Sequence, residues 1–166
     1  MTSATGKRPP KTATKAPRWL SRDEEAAWRA IAQLMVKLPW ALECQLQRDA
    51  SLSFIEYHVL ARLSEDPKHT LRMSELAMLT NASLSRLSHL VKRLESRDLV
   101  RREADPSDGR FTNAIMTKAG YKLLVASAPG HVARVRSLVI DALSPAELRQ
   151  LHDASERLLA RIEPSS

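Results

Sequence analysis

Apolar positions between residues 83 and 97 recur at the spacing of a helix with one buried face. Leu84, Leu87, Val91 and Leu94 are separated by three, four and three residues, with Leu90 beside them, and this spacing places side chains on one stripe of an α-helix. The opposite stripe is polar and contains Ser85, Ser88, His89, Lys92 and Ser96. The pattern therefore predicts an amphipathic helix whose polar face is open to solvent or to a partner.

Residues 74–80 predict a shorter helix before this one, and Asn81-Ala82-Ser83 predicts the turn between the two. Asn tolerates the left-handed conformation that ends a helix, and Ser83 is suited to cap the next helix. Two weak strand candidates, residues 99–104 and 111–117, flank a segment with strong turn chemistry, Asp105-Pro-Ser-Asp-Gly-Arg110. The order predicts a helix–turn–helix followed by a β-hairpin, or wing.

Longer amphipathic segments lie on both sides of this unit. Ser-x-x-Glu capping boxes at Ser21, Ser53 and Ser144 predict three helix starts. The first and last of these helices carry apolar stripes: Trp28, Ile31, Leu34, Met35, Leu38 and Leu42, and then Leu148, Leu151, Leu158, Leu159 and Ile162. These stripes have more apolar surface than a winged unit can cover, so they need another partner.

Prolines leave two helix boundaries open. Pro39 either kinks or ends the first helix, and Pro129-Gly130 favours one kinked helix from Thr117 or Lys118 over two separate helices. Leu71 lies between two turns and is a candidate for a short strand against the hairpin. The predicted fold is mainly α with a small β-hairpin wing, a winged helix–turn–helix with additional helices.

Composition and charge limit the class of protein that this chain can be. The chain has 166 residues, 43% of them hydrophobic, with four glycines and one cysteine, which indicates a helix-rich domain without an internal disulfide. The apolar runs are shorter than the roughly 18 residues of a membrane span, and no signal peptide is evident. We therefore expect a cytoplasmic protein that does not bind a membrane.

The net charge of +7 is concentrated at the N-terminus. Residues 1–22 contain six basic and no acidic side chains, whereas the remaining residues contain 20 basic and 19 acidic ones. Residues 1–20 are rich in Pro, Lys and Thr, which predicts a disordered basic tail. That tail is either a solvated leader or an arm that adds phosphate contacts.

Three ordered segments carry a resemblance to a known family. They are Met73-Ser-Glu-Leu-Ala, Leu90-Val-Lys-Arg-Leu-Glu-Ser-Arg-Asp-Leu-Val and Asp105-Pro-Ser-Asp-Gly-Arg. Together they resemble the MarR family of bacterial transcriptional regulators. Its wing motif is Asp, any residue, Arg, five residues and Leu-Thr, and here it is Asp108-Gly-Arg110, five residues and Met116-Thr117. The resemblance covers about residues 21–162.

The resemblance implies a homodimer that binds double-stranded DNA at a palindromic operator, as a repressor released by a small aromatic or anionic effector. Residues 21–50 and 118–163 are then dimerisation helices, and residues 51–117 form the winged helix–turn–helix DNA-binding region. Two-fold symmetry sets the two recognition helices about 34 Å apart, one turn of DNA.

The polar face of the predicted recognition helix supplies candidate DNA contacts, because hydroxyls and imidazole suit base edges and guanidiniums reach guanine or phosphate. The candidates for base edges are Ser85, Arg86, Ser88 and His89, and those for phosphates are Ser83, Lys92 and Arg93. The resemblance implies that Arg110 enters the minor groove, with Asp108 orienting it or tying the wing to nearby arginines. The alternatives are a face that meets only water, or a winged-helix protein-interaction module without specific DNA binding.

By the same resemblance, an effector pocket is expected between the dimer helices and the winged unit, with candidate lining residues Met35, Trp40, Tyr57, His58 and Arg62. The alternative is that these are ordinary core and surface residues.

The sequence contains few candidates for redox, metal-binding or catalytic chemistry. Cys44 lies ten residues before Phe54, whereas peroxide-sensing relatives have their cysteine about 14 residues before the corresponding aromatic residue. This spacing favours a small buried or interface residue over a redox sensor. The five histidines form no metal-spaced pair, although His58 and His131 could meet across helices. No metal or other cofactor is expected, and the lack of a catalytic motif argues against an enzyme.

Overall fold

The computed structural model describes residues 17–162. Within these residues the chain forms two compact units, which divide between Met35 and Val36. The elements in chain order are α1 (Arg22–Ala50), α2 (Phe54–Glu65), β1 (Thr70–Arg72), α3 (Met73–Leu79), α4 (Leu84–Glu95), β2 (Val100–Ala104), β3 (Thr112–Met116), α5 (Lys118–Val135), a π-helical segment (Arg136–Ile140) and α6 (Pro145–Ile162). The predicted class, mainly α with a small wing, is confirmed.

The first unit contains the beginning of α1. Ser21 and Glu24 form the predicted capping box: the Ser21 N–H donates to Glu24 Oε2 (2.7 Å), and the Glu24 N–H donates to Ser21 Oγ (3.3 Å). These hydrogen bonds lower the pKa of Glu24. The apolar stripe beyond the cap, which contains Trp28, Ile31, Leu34 and Met35, is between 40% and 56% exposed. Of the predicted basic tail, residues 1–16 lie outside the described residues, and residues 17–20 are irregular and exposed.

The second unit has a core formed by helices α2 to α5 and the sheet. Its fully buried side chains include Leu52, Leu60, Leu63, Leu76, Leu87, Leu94, Val59, Val91 and Val100. The capping box at α2 is present, since the Glu56 N–H donates to Ser53 Oγ (3.2 Å) and the Ser53 N–H donates to Glu56 Oε2 (2.8 Å). The box at Ser144 is also present before α6. All three predicted helix starts are therefore confirmed.

The sheet is antiparallel with the strand order β1-β3-β2. Leu71 lies opposite Ala114, and Val100 lies opposite Met116, so the predicted hairpin and the short strand at Leu71 are both confirmed. Only Val100 is buried in β2, because the other four residues of that strand project from the domain as part of the wing. This explains why the polar and apolar residues of β2 alternate poorly in the sequence.

Both prolines lie inside helices. α1 continues through Pro39 to Ala50, so Pro39 does not end that helix. α5 continues through Pro129 and Gly130, which confirms one helix over two. A Cβ atom on Gly130 would lie 3.3 Å from Asp49 Oδ2 and 3.4 Å from Gln45 Nε2, so α5 passes close to the end of α1 at this glycine.

The beginning of α5 is fixed to the wing by Thr117. The Thr117 hydroxyl accepts a hydrogen bond from the Gly120 N–H (3.0 Å) and donates to the Asp98 carbonyl (2.6 Å). A Cβ atom on Gly120 would lie 2.1 Å from the Leu99 carbonyl oxygen, and no side chain fits at that distance. The close approach of α5 to the wing therefore requires glycine at position 120.

By length and composition alone, the segment Lys118–Ile140 could cross a membrane, since its most apolar 18 residues have a mean hydropathy of 1.2. The sequence predicts no membrane span here, because its uninterrupted apolar runs are shorter than roughly 18 residues. Leu124 and Ser127 of the same segment are buried in the second unit.

Candidate nucleic-acid interface

The two faces of α4 differ sharply in burial. Leu87, Leu90, Val91 and Leu94 are at most 4% exposed and hold the helix against the core. The Ser83 side chain caps the helix by accepting a hydrogen bond from the Arg86 N–H (3.2 Å). Asn81 has a φ of 48°, the left-handed conformation predicted for the turn. α4 is thus a capped helix of 12 residues with its polar face directed outward.

Leu84 departs from the prediction, because the sequence pattern placed it on the buried stripe. It is 55% exposed. Leu84 is the first residue of α4, and long helical side chains lean toward the N-terminus of their helix. Its side chain therefore extends past the end of the core.

A groove of about 430 Å³ runs along the exposed side of α4. Its lining residues are Ile55, Ser83, Ser85, Arg86, His89, Leu90 and Arg93. The structure thereby brings together five of the eight predicted DNA-contacting residues, and none of the described residues that line the groove is acidic. Ile55 was not predicted, because it belongs to α2 and no local pattern connects it with α4.

Arg93, a predicted phosphate contact, is held by a buried carboxylate. Its Nε donates to Glu56 Oε1 (3.1 Å), and its side chain remains 60% exposed. Burial alone would raise the pKa of Glu56, but hydrogen bonds from the Ser53 N–H and from Arg93 outweigh it and lower that pKa. Glu56 therefore stays ionised and fixes the direction of the Arg93 guanidinium at the groove.

Arg97, which follows the end of α4, contacts the end of α1. Its Nη1 donates to the Ser51 carbonyl (2.8 Å), and its Nη2 donates to the Ala50 carbonyl (3.4 Å). A cation at the C-terminus of a helix satisfies carbonyl groups that lack helical partners. Arg97 therefore ties the end of the α4 segment to the α1–α2 turn.

The other polar positions lie toward the wing. Ser88 is half-buried, and its hydroxyl accepts a weak hydrogen bond from Arg102 Nη1 (3.4 Å). Arg102 also pairs with Glu95 (2.6 Å). Lys92 is exposed on the same face. Arg102 was not among the predicted contacts, because its strand has too little alternation to show which way its side chains point.

Arg110 projects from the wing and is hydrogen-bonded to Asp108. Its Nε donates to Asp108 Oδ1 (3.0 Å), its Nη2 donates to Oδ2 (2.6 Å), and the Arg110 N–H donates to Oδ1 (3.1 Å). These contacts lower the pKa of Asp108 and raise the pKa of Arg110. The Arg110 side chain is nonetheless 85% exposed, so the pair presents an oriented cation at the wing.

Asp105 secures the base of the wing, a role that the sequence analysis did not assign. Its carboxylate accepts hydrogen bonds from the Ser107 hydroxyl (2.6 Å), the Ser107 N–H (2.8 Å) and Arg72 Nε (2.8 Å). These hydrogen bonds, led by that of the Ser107 hydroxyl, keep the pKa of Asp105 far below its usual value. Arg72 also lies over the Phe111 ring at 4.6 Å. The partner in β1 is 33 residues away, so no local signal could have revealed this ion pair.

Comparisons with known proteins agree with this geometry. The MarR family profile matches residues 50–110, which extend from the end of α1 to Arg110. Sco3205, a MarR family transcriptional regulator from Streptomyces coelicolor whose structure is in complex with DNA, matches with a TM-score of 0.87 and 41% identity, covering 92% of this chain and 95% of that one. This chain belongs to the MarR family.

Other similar proteins are also transcriptional regulators. AbsC, also from Streptomyces coelicolor, matches with a TM-score of 0.84 and 39% identity, covering 88% of this chain and 98% of AbsC. The HTH-type transcriptional regulator YxaD of Bacillus subtilis (strain 168) is 32% identical over 56% of this chain and 64% of YxaD. The chain spans 53% to 64% of the length of the curated relatives that it matches. Members of this family are transcriptional regulators, which confirms the prediction that the chain is not an enzyme.

A second cavity, of about 300 Å³, lies between α2 and α5. Its lining residues are Tyr57, Ala61, Ser64, Tyr121, Leu124, Val125 and Ala128. Of the predicted effector-pocket residues, Tyr57 lines it, and burial raises the pKa of Tyr57. Trp40 is 69% exposed, and His58 and Arg62 are half-buried but do not line the cavity. Met35 is exposed and belongs to the first unit.

The remaining candidate chemistry is distributed as follows. Cys44 is half-buried in α1. His58 and His131 both lie beside Phe54, with ring centroids 6.2 and 6.5 Å from it. Within residues 17–162, no three His, Cys, Asp or Glu side chains come together in a group that could hold a metal ion.

Proposed function

We propose that this MarR family protein is a homodimeric, sequence-specific DNA-binding repressor that occupies a palindromic operator and is released by a small-molecule effector. The observation that carries the proposal is the groove on α4, where Ser83, Ser85, Arg86, His89 and Arg93 meet. An outward face of hydroxyl, imidazole and guanidinium groups matches the donors and acceptors of base edges and phosphates.

Each predicted contact keeps its role in this proposal. Ser85, Arg86, Ser88 and His89 face base edges, and Lys92 and Arg93 face phosphates at the rim. The Ser83 oxygen accepts from the Arg86 N–H, and its hydroxyl hydrogen remains available to a phosphate oxygen. Arg110 enters the minor groove with its orientation set by Asp108. The DNA-bound state of Sco3205, at 41% identity, supports DNA as the partner.

The exposed apolar stripes support the homodimer. None of the described residues of α6 is buried. The large apolar side chains of this helix are between 42% and 73% exposed: Leu151, Leu158, Leu159 and Ile162. A soluble single chain rarely leaves so many large apolar residues along one helix uncovered. A second copy would bury them and would set the distance between two recognition helices near 34 Å.

The test of DNA binding is selection of genomic fragments by the purified protein, followed by fluorescence anisotropy with the selected duplex. We expect affinity to fall steeply with salt, because several phosphates are neutralised. Arg86→Ala should relax the sequence preference at one position of each half-site, at a cost of about 1–3 kcal/mol.

Arg149→Ala is the matched control, because Arg149 is an exposed arginine on α6, away from the groove. It should leave affinity and preference unchanged. Equal affinity of the parent protein for selected and scrambled duplexes would contradict sequence-specific binding. Weak binding to every duplex, independent of salt, would favour a protein-interaction module.

For the effector we propose the cavity between α2 and α5. Its size suits a single aromatic ring, and Tyr57, Ser64 and Tyr121 offer hydroxyl groups at its wall. Benzoate, titrated into the protein–DNA complex, is the probe. Release of DNA that Ala128→Leu abolishes, by filling the cavity, would support this site. Release that persists in the variant would place the effector elsewhere.

A further inference from the structure

Leu84 is the one residue of the predicted apolar stripe that the core does not use. The other four members, Leu87, Leu90, Val91 and Leu94, are at most 4% exposed, whereas Leu84 is 55% exposed. A single exposed leucine is common on protein surfaces and by itself means little. The exposure of Leu84 is informative because of its position, since Leu84 is the first residue of the helix that carries the candidate DNA contacts.

Leu84 is exposed at the N-terminal end of α4, next in sequence to two of the candidate polar contacts. It follows the cap residue Ser83, precedes Ser85, and lies four residues before Ser88, so Leu84 and Ser88 are neighbours on the helix surface. Helical leucine side chains lean toward the N-terminus. In helix–turn–helix proteins the N-terminal residues of the recognition helix meet base edges in the major groove.

We propose that Leu84 reads the C5-methyl group of one thymine in each half-site of the operator. This inference rests on the proposed DNA-binding function and names a specificity contact within it. A leucine has no hydrogen-bonding group, so it cannot read the donors and acceptors of base edges. Thymine is the standard base that presents a methyl group in the major groove, and apolar side chains contact that group.

The inference predicts a preference that depends on a single methyl group. Deoxyuridine pairs as thymidine does but lacks the C5-methyl group, so replacing thymine by uracil changes only the proposed contact. Burial of one methyl group corresponds to about a fourfold change in affinity. We therefore expect a loss of about fourfold at one thymine in each half-site, with smaller changes at the others.

The experiment compares four proteins on duplexes in which each thymine of the selected operator is replaced in turn by uracil. The parent protein and Leu84→Met should both show the sensitive position, because methionine keeps an apolar side chain of similar reach. Leu84→Ala and Leu84→Gln should bind thymine and uracil duplexes equally there. Met78→Ala is the matched control, because Met78 is 74% exposed on the preceding helix α3, and it should keep the sensitivity.

Thermal unfolding verifies that the variants are folded, which the exposure of Leu84 leads us to expect. Identical uracil sensitivity in the parent and in both Leu84→Ala and Leu84→Gln would overturn the inference, as would a parent that no uracil substitution affects. Both results leave the proposed function intact, because the parent still binds its operator. A parent that binds no duplex would overturn the inference together with the proposed function.

Discussion

At the scale of single residues, the wing pair Asp108–Arg110 presents a conflict between charge and orientation. A carboxylate close to DNA repels phosphate, yet Asp108 holds the guanidinium of Arg110 through both of its oxygens. The exposed guanidinium has no other anchor among the described residues, so without Asp108 it would lose side-chain entropy on binding. Orientation should therefore outweigh repulsion.

We predict that Arg110→Ala lowers DNA affinity by about tenfold and reduces the salt dependence by about one phosphate contact. Its thermal midpoint should be unchanged, because the side chain is 85% exposed. Asp108→Asn should also weaken binding, although it removes a negative charge. Anisotropy titrations at several salt concentrations measure both variants, and tighter binding by Asp108→Asn would contradict the orienting role.

The sequence predicted the structural roles of residues whose hydrogen-bond partners or turn neighbours lie close along the chain. Ser83 was expected to cap α4, and Asn81 was expected in a left-handed turn, because such preferences depend on a few neighbouring residues. The partners of Arg93 and Arg97 are 37 and 46 residues away, so an arginine near the polar face could not be distinguished from one that fixes another helix. Leu84 was misassigned because periodicity does not show where the core ends.

At the scale of elements, helix starts and the wing were predictable for the same reason. Three capping boxes gave the beginnings of α1, α2 and α6, and Pro106 with Asp108-Gly109 gave the wing turn. The π-helical segment Arg136–Ile140 was not predicted, since it follows α5 with no residue that signals a change of helix type. The packing of α5 against α2 could not be predicted from the sequence either, because it depends on which faces of the two helices meet.

Two half-buried histidines, His131 on α5 and His58 on α2, have lowered pKa values. His131 of α5 packs against Tyr57 of α2, with ring centroids 4.4 Å apart, and burial lowers its pKa. Within the part of the chain that the structure describes, His131 Nδ1 is buried without a hydrogen-bond partner. Burial also lowers the pKa of His58, and the charge of Arg62 lowers it further, against the opposing effect of Glu65.

We predict that these histidines make the folded protein less stable in mild acid. The unfolded chain has histidine pKa values near 6.5, so below that pH it binds more protons than the folded chain, and the free energy of unfolding decreases as pH falls. Their contribution is complete above about pH 6.5 and is lost as pH falls toward the lowered folded-state values. We therefore expect the thermal midpoint of the parent protein to be lower at pH 5.5 than at pH 7.5.

His131→Phe tests this prediction, because phenylalanine keeps a ring against Tyr57 but does not titrate. Thermal unfolding at pH 7.5 and 5.5 should show a smaller difference for this variant than for the parent. His152→Gln is the control, because His152 is exposed on α6, and it should retain the parent's difference. An equal pH dependence in all three proteins would contradict the assignment.

At the scale of the whole molecule, a single chain leaves large apolar side chains exposed along two helices. In the first unit Trp28 and Leu34 are 54% and 53% exposed, and in the second unit Leu158 and Ile162 of α6 are 52% and 73% exposed. Periodicity predicted both stripes and their need for a partner. It could not identify that partner, because an apolar stripe has the same spacing whether it packs within one chain or against a second copy.

We predict that the protein is a dimer and that Leu158→Glu converts it to monomers, because a carboxylate at a buried apolar interface loses hydration without gaining a partner. Light scattering coupled to size exclusion measures the change. Arg157→Glu introduces the same acidic residue at the neighbouring exposed position and should remain dimeric. The monomeric variant should stay folded, because Leu158 is already exposed in the single chain, and its affinity for the palindromic duplex should fall at least 100-fold, because the two half-sites are no longer joined. A Leu158→Glu protein that binds the palindrome as the parent does would mean that operator recognition does not depend on this face of α6.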